Sequence, residues 1–274
     1  MSIDGFESPR SAPNPLHEPI ASLLDVMPTA STLPSGLERR VRDRLRGRVA
    51  RALQAGSQLH TLRLDRMAVE AVAPGVALRQ LYASRAAVLR PGEPAAAVIL
   101  EMAPGSSWTM PCADRECREW LLLRGHASIG GSELGTLGFL RESAAELQVS
   151  SAAGAQIYLR RTPGARQADR PVRHDGIGTW LPYGPGIVRQ LLWTDGHQAA
   201  MLYHTVAGAT VPHHGHRSDE ECLMVEGDLF LDDVLLQPGD YQLAPAGTEH
   251  REVSTDTGCL LFARGDLDLA LVSG

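Results

Sequence analysis

Four short segments of this chain occur twice, in the same order and at nearly the same separation. "APGVALRQLY" at 73–82 returns as "GPGIVRQLLW" at 184–193, and "MAPGSSWTMP" at 102–111 returns as "TVAGATVPHH" at 205–214. "EWLLLRG" at 119–125 returns as "ECLMVEG" at 221–227, and "GAQIYLRR" at 154–161 as "GCLLFARG" at 258–265. Offsets of about 102 to 111 residues describe a duplicated domain, with a junction at "TPGARQADRPVR", 162–173. Within each copy, short apolar runs are separated by Gly/Pro turns at roughly 8–12-residue intervals, the rhythm of an all-β sandwich or barrel. The 27 Gly and 18 Pro favour such short strands over long helices.

Ahead of the copies lies "LERRVRDRLRGRVARAL" at 37–53, where Leu37, Val41, Leu45, Val49 and Leu53 recur at helical spacing and predict an amphipathic helix. Its other faces carry seven arginines between Arg39 and Arg51 against Glu38 and Asp43. Such a helix is either a solvated basic face packed on the body or a docking surface for an acidic protein partner. Residues 1–35 are proline-rich and read as a flexible tail, in which "IASLLDVM" at 20–27 suits one or two helical turns.

Several classes of function are excluded or disfavoured. All 26 basic residues are arginine, so no lysine is present for a Schiff base, a pyridoxal enzyme or a Walker-A phosphate loop. The net charge of −6 gives no general attraction to nucleic acid or to an anionic membrane. No apolar run approaches the roughly 20 residues needed to span a bilayer, and no secretory leader pattern opens the chain. A cytoplasmic location is expected. Cys112, Cys117, Cys222 and Cys259 form no CxxC pair and are expected as reduced thiols.

The second copy spells Gly208-x5-His214-x-His216-x3-Glu220-x6-Gly227, followed by Gly239-x5-Pro245-x-Gly247-x2-His250. Side chains at i and i+2 of a strand share a face, so His214 and His216 point the same way. With Glu220 and His250 they form a mixed nitrogen and oxygen set suited to Zn, Fe, Mn, Ni or Cu. His213 falls on the opposite face, and Glu221 is expected to turn away as a surface charge. Cys222 and Met224 share the face of Glu220 and are expected to line the interior, while Asp219 and Glu249 are candidates for orienting the imidazoles. In the first copy the corresponding positions are Pro111, Ala113, Arg118 and Glu146. No ligand survives there, so that copy is expected to be metal-free, with Cys112 and Cys117 at its vacated mouth.

These two motifs resemble those of the cupin superfamily almost position for position, Ser254 standing where the second motif usually has Asn. The resemblance covers about residues 70–160 and 180–265. It implies an all-β bicupin, two tandem jelly-roll (double-stranded β-helix) barrels preceded by a short α-helical N-terminal segment. The implied domains are 1–60 as tail and basic helix, 61–165 as a degenerate metal-free barrel, and 172–274 as the metal-binding barrel.

Together with the arginine-rich helix, "LHTLRLDRMAVEAVAPGV" and "EECLMVEGDLFLDDVLLQPGDYQLAPAGTEH" look like the cupin domains of ChrR-type anti-sigma factors. That resemblance implies one divalent metal per chain, zinc first with Fe, Mn or Ni as alternatives, held by His214, His216, Glu220 and His250. It further implies a sigma factor bound through residues 20–55, a small-molecule ligand in the second barrel, and regulation of transcription in response to a small-molecule or oxidative signal. Neither direct nucleic-acid contact nor membrane attachment is implied. Cupins also pair through barrel edges, which here means a homodimer or the two copies of one chain. One departure stands out: the ChrR-type N-terminal domain carries its own zinc on histidines and a Cys-x2-Cys pair, whereas residues 1–60 here hold only His17 and His60 and no cysteine. The alternative reading is a cupin metalloenzyme, a dioxygenase or isomerase acting on a small organic substrate. No catalytic residue is assigned, apart from Glu220, which some cupin enzymes use as acid or base.

Overall fold

The computed structural model describes residues 35–83, 96–111, 116–143, 146–163, 172–174, 178–266 and 270–271. The expectations for 1–34, for Cys112 and Ala113 and for most of the junction fall outside them. Among the described residues, the α-helix Ser35–Gln58 matches the predicted amphipathic segment and extends it at both ends. Its apolar stripe is not fully covered: Leu37 and Val41 are 39% and 40% exposed, while Leu45 and Val49 are half-buried.

The rest is antiparallel β-structure built twice on one plan. The first copy has a seven-stranded sheet in the order 172–174, 139–142, 116–125, 155–163, 96–102, 76–83, 69–73. A four-stranded sheet (106–111, 146–151, 127–129, 132–134) accompanies it. The second copy repeats the large sheet in the order 60–62, 241–244, 220–227, 259–266, 198–205, 187–194, 181–184. Its smaller partner is split into a four-stranded piece carrying Thr210–Val211 and a three-stranded piece carrying His214–Gly215 and Glu249–His250.

The central strands of each large sheet are buried on both faces. Trp120 and Leu122 point into the first sandwich with Leu100, Val149 and Ile157. Leu121 and Leu123, one residue on, point the other way and meet Leu223, Val225, Leu202 and Phe262 of the second copy. Cys222 and Met224 turn into the second sandwich with Leu229, Leu231 and Leu236. A strand wetted on one face would alternate in polarity, and the continuous runs "WLLL" and "CLMV" reflect burial on both sides.

The two large sheets also exchange edge strands. His60–Leu62 pairs with Tyr241–Leu243 of the second copy, and Val172–His174 pairs with Phe139–Arg141 of the first. His60–Leu62, straddling the expected division at 61, and Val172–His174, opening the expected 172–274 domain, thus each pair into the sheet of the other copy. The paired glycines of the repeat also have a physical reason. A Cβ on Gly125 (φ +84°) would stand 2.2 Å from the Gly154 carbonyl oxygen, and one on Gly227 (φ +79°) 1.9 Å from that of Gly258.

Polar pairs sit in the middle of the apolar contact between the copies. Arg160 Nε donates to Glu221 at 2.6 Å, and at the matching position of the other copy Arg264 Nε donates to Glu119 at 3.3 Å. Glu221 also accepts from the Tyr158 hydroxyl at 2.6 Å and the Tyr241 hydroxyl at 2.9 Å. Glu221 does turn away from Glu220, but it is 2% exposed. The expectation of a surface charge is corrected, because the second face of this strand is covered by the first copy.

Candidate metal centre

His214 and His250 are brought face to face by backbone pairing, since the two residues are direct partners in an antiparallel ladder. His216 follows one residue after that strand, and its loop is clamped at both ends. The His216 amide donates to the Thr248 carbonyl at 2.9 Å, and the Gly247 amide returns to the His216 carbonyl at 2.8 Å. Asp266 accepts from the Arg217 and Ser218 amides at 2.8 and 3.0 Å, which fixes the turn leading into Glu220. Glu220 opens the strand Glu220–Gly227.

The three imidazoles converge, with ring centroids 5.4, 5.5 and 4.9 Å apart for the His214–His216, His214–His250 and His216–His250 pairs. Ligating atoms of His214, His216 and Glu220 lie within 4.8 Å of one another, a group that could hold a metal ion. His250 lies outside that tight trio but borders the same cavity as His214 and Glu220. Two of the rings are tethered through Nδ1, His214 to the Pro212 carbonyl at 2.8 Å and His250 to an Asp232 carboxylate oxygen at 3.3 Å. That leaves Nε2 of each ring for a ligand. The buried Nε2 atoms of His216 and His250 have no hydrogen-bond partner among the described residues. A buried polar atom left unpaired costs about 1–3 kcal/mol, and a cation accepting those lone pairs would remove the deficit. The donor set therefore fits a divalent metal.

Electrostatics point the same way. Burial pushes the imidazole of His214 down, and that of His216 to about 3, with the neighbouring histidines adding to the effect on both. Both are neutral at pH 7 with a lone pair free. Burial raises the Glu220 carboxyl, so a carboxylate there calls for a compensating cation. Burial also acts to raise Asp232, but hydrogen bonds from His250 and from the Arg251 and Glu252 amides outweigh it and hold the group below its usual range. Stability should follow in the metal-free protein. His214 and His216 take up protons less readily folded than unfolded, so stability is complete above pH about 6.5 and declines as pH falls toward 3. His216, held at about 3, contributes about 1.4 kcal/mol per pH unit over that range; His214 acts in the same direction and Glu220 in the opposite one. Urea denaturation in chelator near pH 7.5 and pH 5.5 should show the lower midpoint at pH 5.5. A midpoint equal or higher there would contradict this.

Other expected neighbours fall differently. His213 is half-buried and faces Glu249 at 3.2 Å, away from the cluster. Asp219 accepts from the Ala246 amide at 2.9 Å, and Glu249 binds Arg251 and His213, so neither orients the clustered imidazoles. Asp232, which sequence spacing did not single out, does so for His250. Its clue was the Asp-Asp turn between the strands Leu229–Leu231 and Val234–Leu236, where Asp232 takes φ +54°. Cys222 lines the interior as expected, its thiol 3.6 Å from Glu220 and pushed well up by burial.

In the first copy the same register puts Pro111 opposite Glu146 and Arg118 at the place of Glu220. Arg118 is fully buried and forms a bidentate pair with Glu142 at 2.6 and 2.7 Å, and the Trp120 indole donates to the same carboxylate at 3.0 Å. An ion pair and an indole thus stand at the positions that match Glu220, Ala244 and Cys222 of the second copy. Cys117 is a buried free thiol, raised by burial to about 11.

This arrangement is a cupin fold with a histidine-rich mouth in its second copy. Residues 170–266 match the ChrR cupin-like domain family and form a cupin domain that resembles ChrR. Over 149 residues the chain is 28% identical to the anti-sigma-E factor ChrR of Cereibacter sphaeroides, covering 48% of this chain and 70% of that protein. Solved structures share the fold at low identity. A candidate dioxygenase from Nostoc punctiforme aligns at TM-score 0.61 and 13% identity, over 79% of this chain and 85% of that one. The oxalate decarboxylase of Lactobacillus farciminis, in a formate complex, aligns at 0.58 and 12%, over 78% and 88%.

Proposed function

We propose that the protein is a metal-binding regulator of the ChrR kind, acting in the cytoplasm on a sigma factor. The match of residues 170–266 to the ChrR cupin-like domain, with the likeness to 70% of ChrR's own length, carries this reading. One divalent metal, zinc foremost, would be held by His214, His216, Glu220 and His250. Bound there, it would act as a Lewis acid with room for a small ligand beside it. The chain's own residues keep the His214 and His216 imidazoles neutral, tether those of His214 and His250 through Nδ1 and exclude water by burial. The helix Ser35–Gln58 supplies a partner surface of suitable kind, with Leu37 and Val41 exposed among arginines. Since residues 1–60 lack the cysteines of a second zinc site, that surface would work without metal.

Deletion of residues 20–55 should abolish co-purification of a sigma factor while metal content stays near one per chain. Retention of the sigma factor by the deleted chain would refute the assignment. The second reading, a small-molecule metalloenzyme, is favoured by the three-histidine, one-carboxylate set, which leaves coordination positions open. O₂ uptake by iron-loaded protein with β-diketones or flavonols would support it, and an inert iron-loaded protein would count against it.

A further inference from the structure

One residue, the buried Leu59, separates the helix Ser35–Gln58 from the exchanged edge strand His60–Leu62. That strand lies two strands away from a metal-site residue. Its neighbour Tyr241–Ala244 pairs in turn with Glu220–Leu223, and Glu220 itself stands opposite Ala244. Side chains tie the edge strand down along the same line. Gln242 Nε2 donates to Thr61 Oγ1 at 2.9 Å, and Gln242 is the ladder partner of Cys222, whose thiol is 3.6 Å from Glu220. Arg63 donates to Asp240 at 2.5 Å and also to the Leu235 carbonyl, while the Leu64 amide donates to the other Asp240 oxygen at 3.2 Å. The Asp240 carbonyl accepts from the Met224 amide at 3.0 Å, on the strand that Glu220 opens.

This latch is open to water. The Arg63 side chain is 34% exposed and borders a cleft of about 700 Å³, so its ion pair is screened. Three residues at a sheet edge, held by a screened pair, open more readily than strands inside the sheet. At the other end of the path the Glu220 carboxyl makes long contacts, 3.6 Å from the Cys222 thiol and 3.7 Å from His216 Nδ1. A bound cation would fix it more firmly. The first copy repeats the path without the site: Val172–His174 pairs with Phe139–Arg141, and that strand with Arg118–Leu121, where Arg118 replaces Glu220.

We propose that His60–Leu62 is a detachable strap, docked when the metal centre is filled and loosened when it is empty. Resting on the regulatory reading above, this coupling carries the state of the centre to the helix that precedes the strap in sequence. Coupling of this kind is reciprocal, so loosening the strap weakens metal binding by the factor with which metal loss favours opening.

Hydrogen–deuterium exchange of the full-length chain, zinc-loaded and chelated, tests it. Amides of 60–64 should exchange about tenfold faster after chelation, and those of 172–174 should stay nearly unchanged. Arg63→Met cuts the latch but leaves Asp240 its bond from the Gln237 amide at 3.0 Å. It should speed exchange at 60–64 in the loaded protein and weaken zinc binding about three- to tenfold, and Arg63→Lys should restore most of both. Equal exchange at 60–64 in the two states, or an equal change at 172–174, would overturn the proposal. So would an Arg63→Met chain whose strap exchanges faster while zinc binds as tightly as before. Metal analysis of the same samples keeps two failures apart. About one zinc per chain with an unmoved strap removes only the coupling, and a chain that takes up no zinc removes the regulatory reading with it.

Discussion

Glu221→Ala is expected to lower the stability of the folded chain by about 3–5 kcal/mol, the usual cost of removing one partner of a buried ion pair. The substitution takes from the Arg160 guanidinium, which is 1% exposed, its Glu221 carboxylate partner, and removes the acceptor of two buried tyrosine hydroxyls. In a chain of this size the loss corresponds to a fall of roughly 6–20 °C in Tm. A double variant, Glu221→Leu with Arg160→Met, should recover most of it, because an apolar replacement of a whole buried pair is often neutral. Glu220→Ala, one residue away, should leave the metal-free protein nearly as stable as before. Its side chain, 13% exposed and facing the mouth, holds no buried cation of the protein. Urea denaturation of the metal-free forms checks the contrast. Equal losses for the two glutamates would show that they do not have separate tasks.

His216→Ala and His250→Ala are expected to reduce bound metal from about one per chain to a small fraction, without unfolding the protein. Both side chains are nearly fully buried and each brings an otherwise unpartnered Nε2. Removing either deletes a donor from the set and leaves a polar hole that water can enter. Asp232→Ala should act more gently, weakening metal affinity about 10- to 100-fold, because the carboxylate only orients the His250 ring. His213→Ala should change nothing at the centre, since that imidazole faces Glu249. Equilibrium dialysis against zinc ranks these variants. A His213 variant as damaging as the His216 variant would mean that the cluster has been drawn on the wrong strand face.

Much of the architecture could be read from the duplication alone. Counting from the repeated glycines set Pro111 and Glu146 at the places of His214 and His250, and the structure pairs Pro111 with Glu146 and His214 with His250 in matching ladders. Strand period placed Cys222 and Met224 inside the second sandwich. Three features were hidden for physical reasons. Glu221 reads as a surface charge to any rule of polarity, and only the matching Arg160 on a strand 61 residues away shows why a carboxylate can be buried there. The exchanged edges, His60–Leu62 and Val172–His174, are three residues long and too short to carry a period. Asp232 reaches His250 from a hairpin turn, and a separation of 18 positions in sequence conceals that contact.

The central claim is that nitrogen and oxygen donors of the second copy alone hold one metal ion. X-ray absorption at the metal edge of the full-length native protein, with metal content measured on the same sample, tests it most directly. The account predicts one metal per chain in a shell of nitrogen and oxygen donors at roughly 2.0–2.2 Å if the ion is zinc. It would be contradicted by two metals per chain, by none, or by a sulfur scatterer at roughly 2.3 Å, which would bring Cys222 into the site in place of an imidazole.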